Sequence, residues 1–184
     1  MNASNLTSAH GNIFLVGLMG AGKTTVGKAL AKILHKNFLD TDEEIRKRTG
    51  VSIPVIFEIE GEAGFRKRES EMLRELSEQN NLVLATGGGM VLDPHNRELL
   101  KQGGTVIYLR AAVTDLWQRT RHDKNRPLLQ TADPLAKLDE LYAQRDPFYQ
   151  EVAHLIVDTG KQSVQTLARQ IIDTLATAGG SKQV

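Results

Sequence analysis

A chain of 184 residues, 40% hydrophobic and 24% charged, has the size and balance of one globular domain able to bury a core. Its 23 Lys and Arg against 22 Asp and Glu leave a net charge of +1, without the basic excess of a nucleic-acid-binding surface, and its lack of cysteine excludes disulfides and thiolate metal sites. The start MNASNLTSAH has no basic region followed by an apolar run, and no apolar stretch approaches a membrane span, so a cytoplasmic single-domain protein is expected.

Residues 1–10 and 178–184 are small and polar and read as flexible tails around a domain over 11–177. The first element is a buried strand, Asn12–Val16, which runs into GLMGAGKTT. The spacing Gly17-x4-Gly22-Lys23-Thr24 fits a phosphate-binding loop made of Gly20, Ala21, Gly22, Lys23, Thr24 and Thr25. Its backbone N–H groups would wrap phosphates, Lys23 would reach the β- and γ-phosphates, and the Thr24 hydroxyl would ligate Mg²⁺. The helix that follows is expected to bury Val26, Leu30, Ile33 and Leu34.

A second strand, Asn37–Asp40, ends in LDTDEE. Ligands of parallel sheets lie beyond the carboxyl ends of the strands, so Asp40 and Asp42 are expected to face the phosphates, where Mg²⁺ needs only one or two carboxylates. The plainer alternative is that one of them caps a helix starting near Glu43. FRKRESEML then lies on a helix with Phe65, Met72, Leu73 and Leu76 on its apolar face. Arg66 and Glu69 stand three apart there and, taken alone, read as a solvated ion pair before an anion site.

The third strand, Leu82–Thr86, ends in TGGG, where Gly87, Gly88 and Gly89 either let a ligand approach the backbone or form a flexible turn. Asp93-Pro94 marks a helix start, an N-cap followed by proline. After a fourth strand, Thr105–Leu109, the run from Arg119 to Asp133 is polar, carries Arg119, Arg121, Lys124 and Arg126, and breaks the pattern; a long irregular segment beside a phosphate loop is expected to act as a lid. Arg145 precedes Pro147 and so sits at an expected helix end. A fifth strand, His154–Asp158, and a helix from about Ser163 burying Val164, Leu167, Ile171, Ile172 and Leu175 complete the chain. Strands alternating with helices predict an α/β three-layer sandwich around a parallel sheet.

From Asn12 to about Leu175 the chain resembles the shikimate kinases. The resemblance rests on GLMGAGKTTVGKALA, FLDTDEEI, SIPVIFEIEGEAGFRKRES, LATGGGMV, RPLL and RDPFY, in the family's order. A phosphate loop alone is unspecific; joined to DTD, FRxxE, TGGG, RPLL and RxPxY it is highly specific. Pro54 and Val55 stand where the family varies, and Phe57 and Phe65 are retained.

The resemblance implies a P-loop kinase fold like that of the nucleoside monophosphate kinases, with a five-stranded parallel sheet and a lid. It implies transfer of the ATP γ-phosphate to the 3-hydroxyl of shikimate, with Mg²⁺, on the route to aromatic amino acids. By residue it implies Thr24 as metal ligand with Asp40 supporting the metal through water, and Asp42, Arg66, Gly88 and Arg145 as shikimate contacts. Lys23, Asp42 and Arg126 are then the catalytic set, with Arg126 approaching the phosphates and Arg119 and Gln162 flanking the adenine. The chemistry agrees, because a guanidinium grips a carboxylate bidentately and Asp42 can accept from ring hydroxyls. A GTPase switch would want an Asn-Lys-x-Asp motif, which HDKN at 122–125 is not, and a binding relic or a gluconate kinase is not expected to keep the whole motif set. A monomer with only small-molecule partners is the default expectation.

Overall fold

The computed structural model describes residues 11–180 apart from Lys124 and Lys161; the expected tail 1–10 lies outside the described residues, and of the expected tail 178–184 the first three residues continue the last helix while 181–184 lie outside. Five strands build one sheet: β1 (Asn12–Val16), β2 (Asn37–Asp40), β3 (Leu82–Ala85), β4 (Gly104–Arg110) and β5 (Leu155–Asp158). Their order is β2-β3-β1-β4-β5 and every pairing is parallel. β1 and β3 are buried along their whole length, which is why their sequences run apolar without alternation. Asn12 pins the entry of both, donating to the Gln79 carbonyl at 2.6 Å and accepting from the Leu82 N–H at 3.1 Å.

The helices are α1 (Lys23–Leu34), α2 (Thr41–Thr49), α3 (Ile53–Ser77), α4 (Pro94–Gly103), α5 (Val113–Thr120), α6 (Pro134–Val152) and α7 (Val164–Gly180). α1 packs against α7, while α4 packs against α3 and α6, giving the three layers expected from the sequence. Among the described residues no helix is long and apolar enough to cross a membrane. β1, β2 and β3 all end at one edge, and the turns that follow them meet there.

Several local expectations shift. The buried stripe of α1 is Val26, Gly27, Leu30 and Ala31, centred on small residues that let the helix lie close to the sheet, and this turns Ile33 out to 37% exposure. In α7, Leu167, Ala168, Ile171 and Ile172 are buried, whereas Val164 and Leu175, nearer the ends, are only partly covered. α2 begins at Thr41 rather than near Glu43. α3 is broken at Gly61, whose backbone is non-helical with φ 70°.

The largest correction concerns Pro147. The helix does not end there; α6 continues to Val152 with proline inside it. Proline removes one helical hydrogen bond, but Leu138, Leu141, Arg145, Tyr149 and Val152 bury one continuous face and hold the helix through the defect. The polar run 119–133 is also less irregular than expected. Arg119 lies in the last turn of α5, Pro127–Leu129 forms a 3-10 turn anchored by buried Leu129, and Asp133 caps α6 by accepting from the Ala136 N–H at 3.0 Å.

Candidate active site

The loop after β1 folds as its glycines require. Gly17 has φ 139°, and a Cβ there would meet the Leu109 carbonyl oxygen at 2.5 Å, so no other residue fits. Gly22 caps α1 without a side chain, which leaves the N–H groups of the first helical turn turned toward the cleft. Lys23 folds back onto the loop, its Nζ donating to the carbonyls of Gly17 at 2.6 Å and Leu18 at 2.9 Å. Its pKa falls from 10.5 to about 8, first through burial and then through the charge of Arg126, with Arg145 adding to this while Asp42 and Asp40 oppose it.

Asp40 uses its two oxygens differently, and the capping reading holds for one of them. Oδ1 caps α2, accepting from the N–H groups of Asp42 at 3.0 Å and Glu43 at 3.4 Å. Oδ2 accepts from the Thr24 hydroxyl at 2.8 Å. Asp42, in the first turn of α2, leaves Oδ1 buried and without a partner among the described residues. Burial raises its pKa, Asp40 adds to the rise, and Arg126, Lys23 and Arg66 work against it.

On the far side, Arg66 and Glu69 are not a solvated pair. Glu69 is 1% exposed, and its Oε2 accepts from Arg66 Nη1 at 2.5 Å. The Nε and Nη2 of Arg66 donate to Glu62 Oε1 at 3.2 and 2.8 Å, so two carboxylates fix the plane of the guanidinium. Arg145, 2% exposed, keeps its Nε without a partner among the described residues, and burial lowers its pKa. One turn on along α6, the Tyr149 hydroxyl donates to the Gly88 carbonyl at 2.6 Å.

The three glycines are not a loose turn. A side chain on Gly87 would collide with Glu69, and one on Gly89 with Arg66. Gly88 alone leaves room, its nearest neighbours being Arg145 Nη1, the Gly17 carbonyl and the Tyr149 hydroxyl, each 3.5 Å from where a Cβ would stand. Phe57 and Phe65, with ring centroids 4.8 Å apart, supply an apolar wall.

Arg119 reaches from α5 to the Gly20 carbonyl at 3.1 Å and to Thr159 Oγ1 at 3.4 Å, tying the phosphate loop to the turn after β5. Gln162 stands at that turn, donating to the Asp158 carbonyl at 3.2 Å. One cleft of about 1080 Å³ is lined by Gly20, Gly22, Lys23, Thr24, Thr25, Asp40, Asp42, Arg66, Gly88, Arg119, Arg126 and Arg145. Of the sequence-derived set, Ala21 and Gln162 are outside that lining. Glu69 as a buried wall, and Thr41, whose hydroxyl accepts from the Gly87 N–H at 2.9 Å, were not singled out from sequence. Thr41 lies in the middle of the DTD motif, the one available signal for it.

The shikimate kinase family model matches residues 19–176. A shikimate kinase from Nitrosospira multiformis is 64% identical over 168 residues, 91% of this chain and 86% of that relative. One from Nitrosomonas europaea is 61% identical over 172 residues, 94% of this chain and 82% of that relative. The structure of a shikimate kinase from Acinetobacter baumannii in complex with shikimate superposes with a TM-score of 0.92 at 50% identity, covering 95% of this chain and 98% of the other. Fold, motif set and cleft agree with these likenesses, and the chain belongs to the shikimate kinase family.

Proposed function

We infer that this chain transfers the γ-phosphate of ATP to the 3-hydroxyl of shikimate, giving shikimate 3-phosphate and ADP, in the biosynthesis of aromatic amino acids. The observation that carries this is one cleft lined by a phosphate loop, by Arg66 and Arg145 with open Gly88, and by Asp42, whose buried Oδ1 has no partner among the described residues. Arg66 and Arg145 clamp the shikimate carboxylate, since two guanidiniums match a planar anion. Gly88 lets the ring approach the backbone, and Phe57 and Phe65 cover its carbon face.

Gly20, Ala21, Gly22 and Thr25 hold the phosphates, with Arg119 and Gln162 on the adenine side. Lys23 exchanges the loop carbonyls for phosphate oxygens, and Arg126 approaches them from the segment 119–133, which closes as a lid. Phosphoryl transfer through a loose transition state is governed by position and charge, so Asp42 first orients the 3-hydroxyl and accepts its proton late. Thr24 and Asp40 present two hard oxygens to one point, a donor pair that fits Mg²⁺; when bound, the ion neutralises phosphate charge. The enzyme acts as a cytoplasmic monomer on small molecules, with no nucleic acid or membrane partner.

The test is a coupled assay of ADP release with ATP and shikimate, with ATP and gluconate, and with ATP alone. Release with shikimate only is expected. Turnover on gluconate, or equal release without any acceptor, would overturn the assignment.

A further inference from the structure

Asp123 lies three residues before Arg126. Its carboxylate makes two hydrogen bonds. Oδ1 accepts from the Asn125 N–H at 2.9 Å, closing a tight local turn, and Oδ2 accepts from Arg126 Nε at 2.9 Å. Asp123 and Arg126 both line the cleft. On the other side of Arg126 the backbone is fixed, because Pro127 opens the 3-10 turn that buried Leu129 anchors.

Gripping Nε engages one edge of the guanidinium and leaves its two terminal nitrogens available to an anion in the cleft. The charge of Arg126 acts on both Lys23 and Asp42, and Asp42 carries a buried oxygen with no partner. A guanidinium freed at this point has that carboxylate as an alternative partner. Burial alone would push the Asp123 carboxyl up, yet the Asn125 hydrogen bond and the Arg126 charge outweigh it and keep the group ionised. With side chains 36% and 33% exposed, the pair adds little to folding. Its effect is on direction.

We propose that Asp123 is a positioning residue: it holds Arg126 by Nε, away from Asp42, so that the terminal nitrogens of Arg126 are aimed at the transferring phosphoryl group. This rests on Arg126 being the phosphate-side arginine, as inferred above.

The test is a double-mutant cycle in steady-state kinetics with Asp123→Ala, Arg126→Ala and the double variant. Asp123→Ala should lower kcat about tenfold with KM for shikimate within about twofold and an unchanged melting temperature; in the Arg126→Ala background it should cost less than about twofold, because residues acting as a unit are not additive. Asp123→Asn keeps an acceptor for the Asn125 N–H but removes the charge that holds Arg126, and should give the same pattern should the alanine variant fold poorly. If Arg126→Ala is as active as the parent, the assignment of Arg126 itself fails. If Arg126→Ala is impaired but the Asp123 variants match the parent, or cost the same factor in both backgrounds, Asp123 does not act through Arg126 and the proposal is wrong.

Discussion

Glu69 and Asp42 come from two different helices, α3 and α2, and turn their unpartnered carboxylate oxygens toward the same residue, Gly87. Two acidic groups brought together out of water do not both ionise readily. Burial raises the Glu69 pKa to about 7; Arg66 opposes the rise and Asp42 reinforces it.

That shift makes folding stability depend on pH. The unfolded chain loses the Glu69 proton near 4.5, whereas the native protein keeps it to about 7. Between those values the native state binds the extra proton, so stability is fully present below the lower value and declines as pH rises through the window. The Glu69 contribution to the slope is about 1.4 kcal/mol per pH unit at most. Urea unfolding between pH 5 and 8 should show a flatter profile for Glu69→Gln than for the parent; an identical slope would remove Glu69 as the titrating group.

Lys23→Ala should lower kcat by about two or more orders of magnitude, as expected for loss of a charge that stabilises the transferring group. Among the described residues Lys23 bonds only to carbonyls of its own loop, so the fold should survive, which circular dichroism checks. Near-parental activity in a folded variant would take the phosphate loop out of the mechanism.

For the clamp, Arg66→Ala or Arg145→Ala should each weaken shikimate binding by about 2 kcal/mol or more while leaving ATP affinity nearly unchanged. Calorimetry with each ligand separates the cases. Equal weakening of both ligands would mean that these arginines only support the fold. Arg66→Ala also strands Glu69 in the interior, so Arg66→Ala/Glu69→Gln should melt higher than the single variant.

The two aspartates separate by metal dependence. Asp40→Asn keeps an acceptor for the α2 cap and should demand more Mg²⁺. Asp42→Asn should lower kcat by about 10²–10⁴ with near-parental Mg²⁺ dependence, since it removes the base but keeps the shape. Recovery of Asp42→Asn by added Mg²⁺ would reverse the assignment.

What could be read from the chain was whatever depends on neighbours in sequence. The turn geometry of the phosphate loop, the Asp93-Pro94 cap and the capping of α2 by Asp40 follow from spacing and backbone chemistry, and the structure places them as read. Glu69 was legible as a partner for Arg66 but not as a buried acid, because its burial comes from the Gly87 turn, distant in sequence. The continuation of α6 through Pro147 was hidden for the same reason: local chemistry argues for a stop, and only the packed face of Leu141, Arg145 and Tyr149 overrules it. Gly61 carries no such signal, since nothing in FEIEGEAG distinguishes a broken helix from a weak one.

The proline-bearing helix α6 joins the two halves of the cleft in an unequal way. Its first residues follow the segment that carries Arg126, while Arg145 and Tyr149 are locked into the sheet side, Tyr149 against Tyr108 with ring centroids 5.0 Å apart. On the function inferred above, the acceptor therefore meets walls packed against the core, with Arg145 2% and Tyr149 1% exposed. A competitive inhibitor designed for the acceptor end faces walls that do not yield, so added bulk there should cost affinity abruptly rather than gradually.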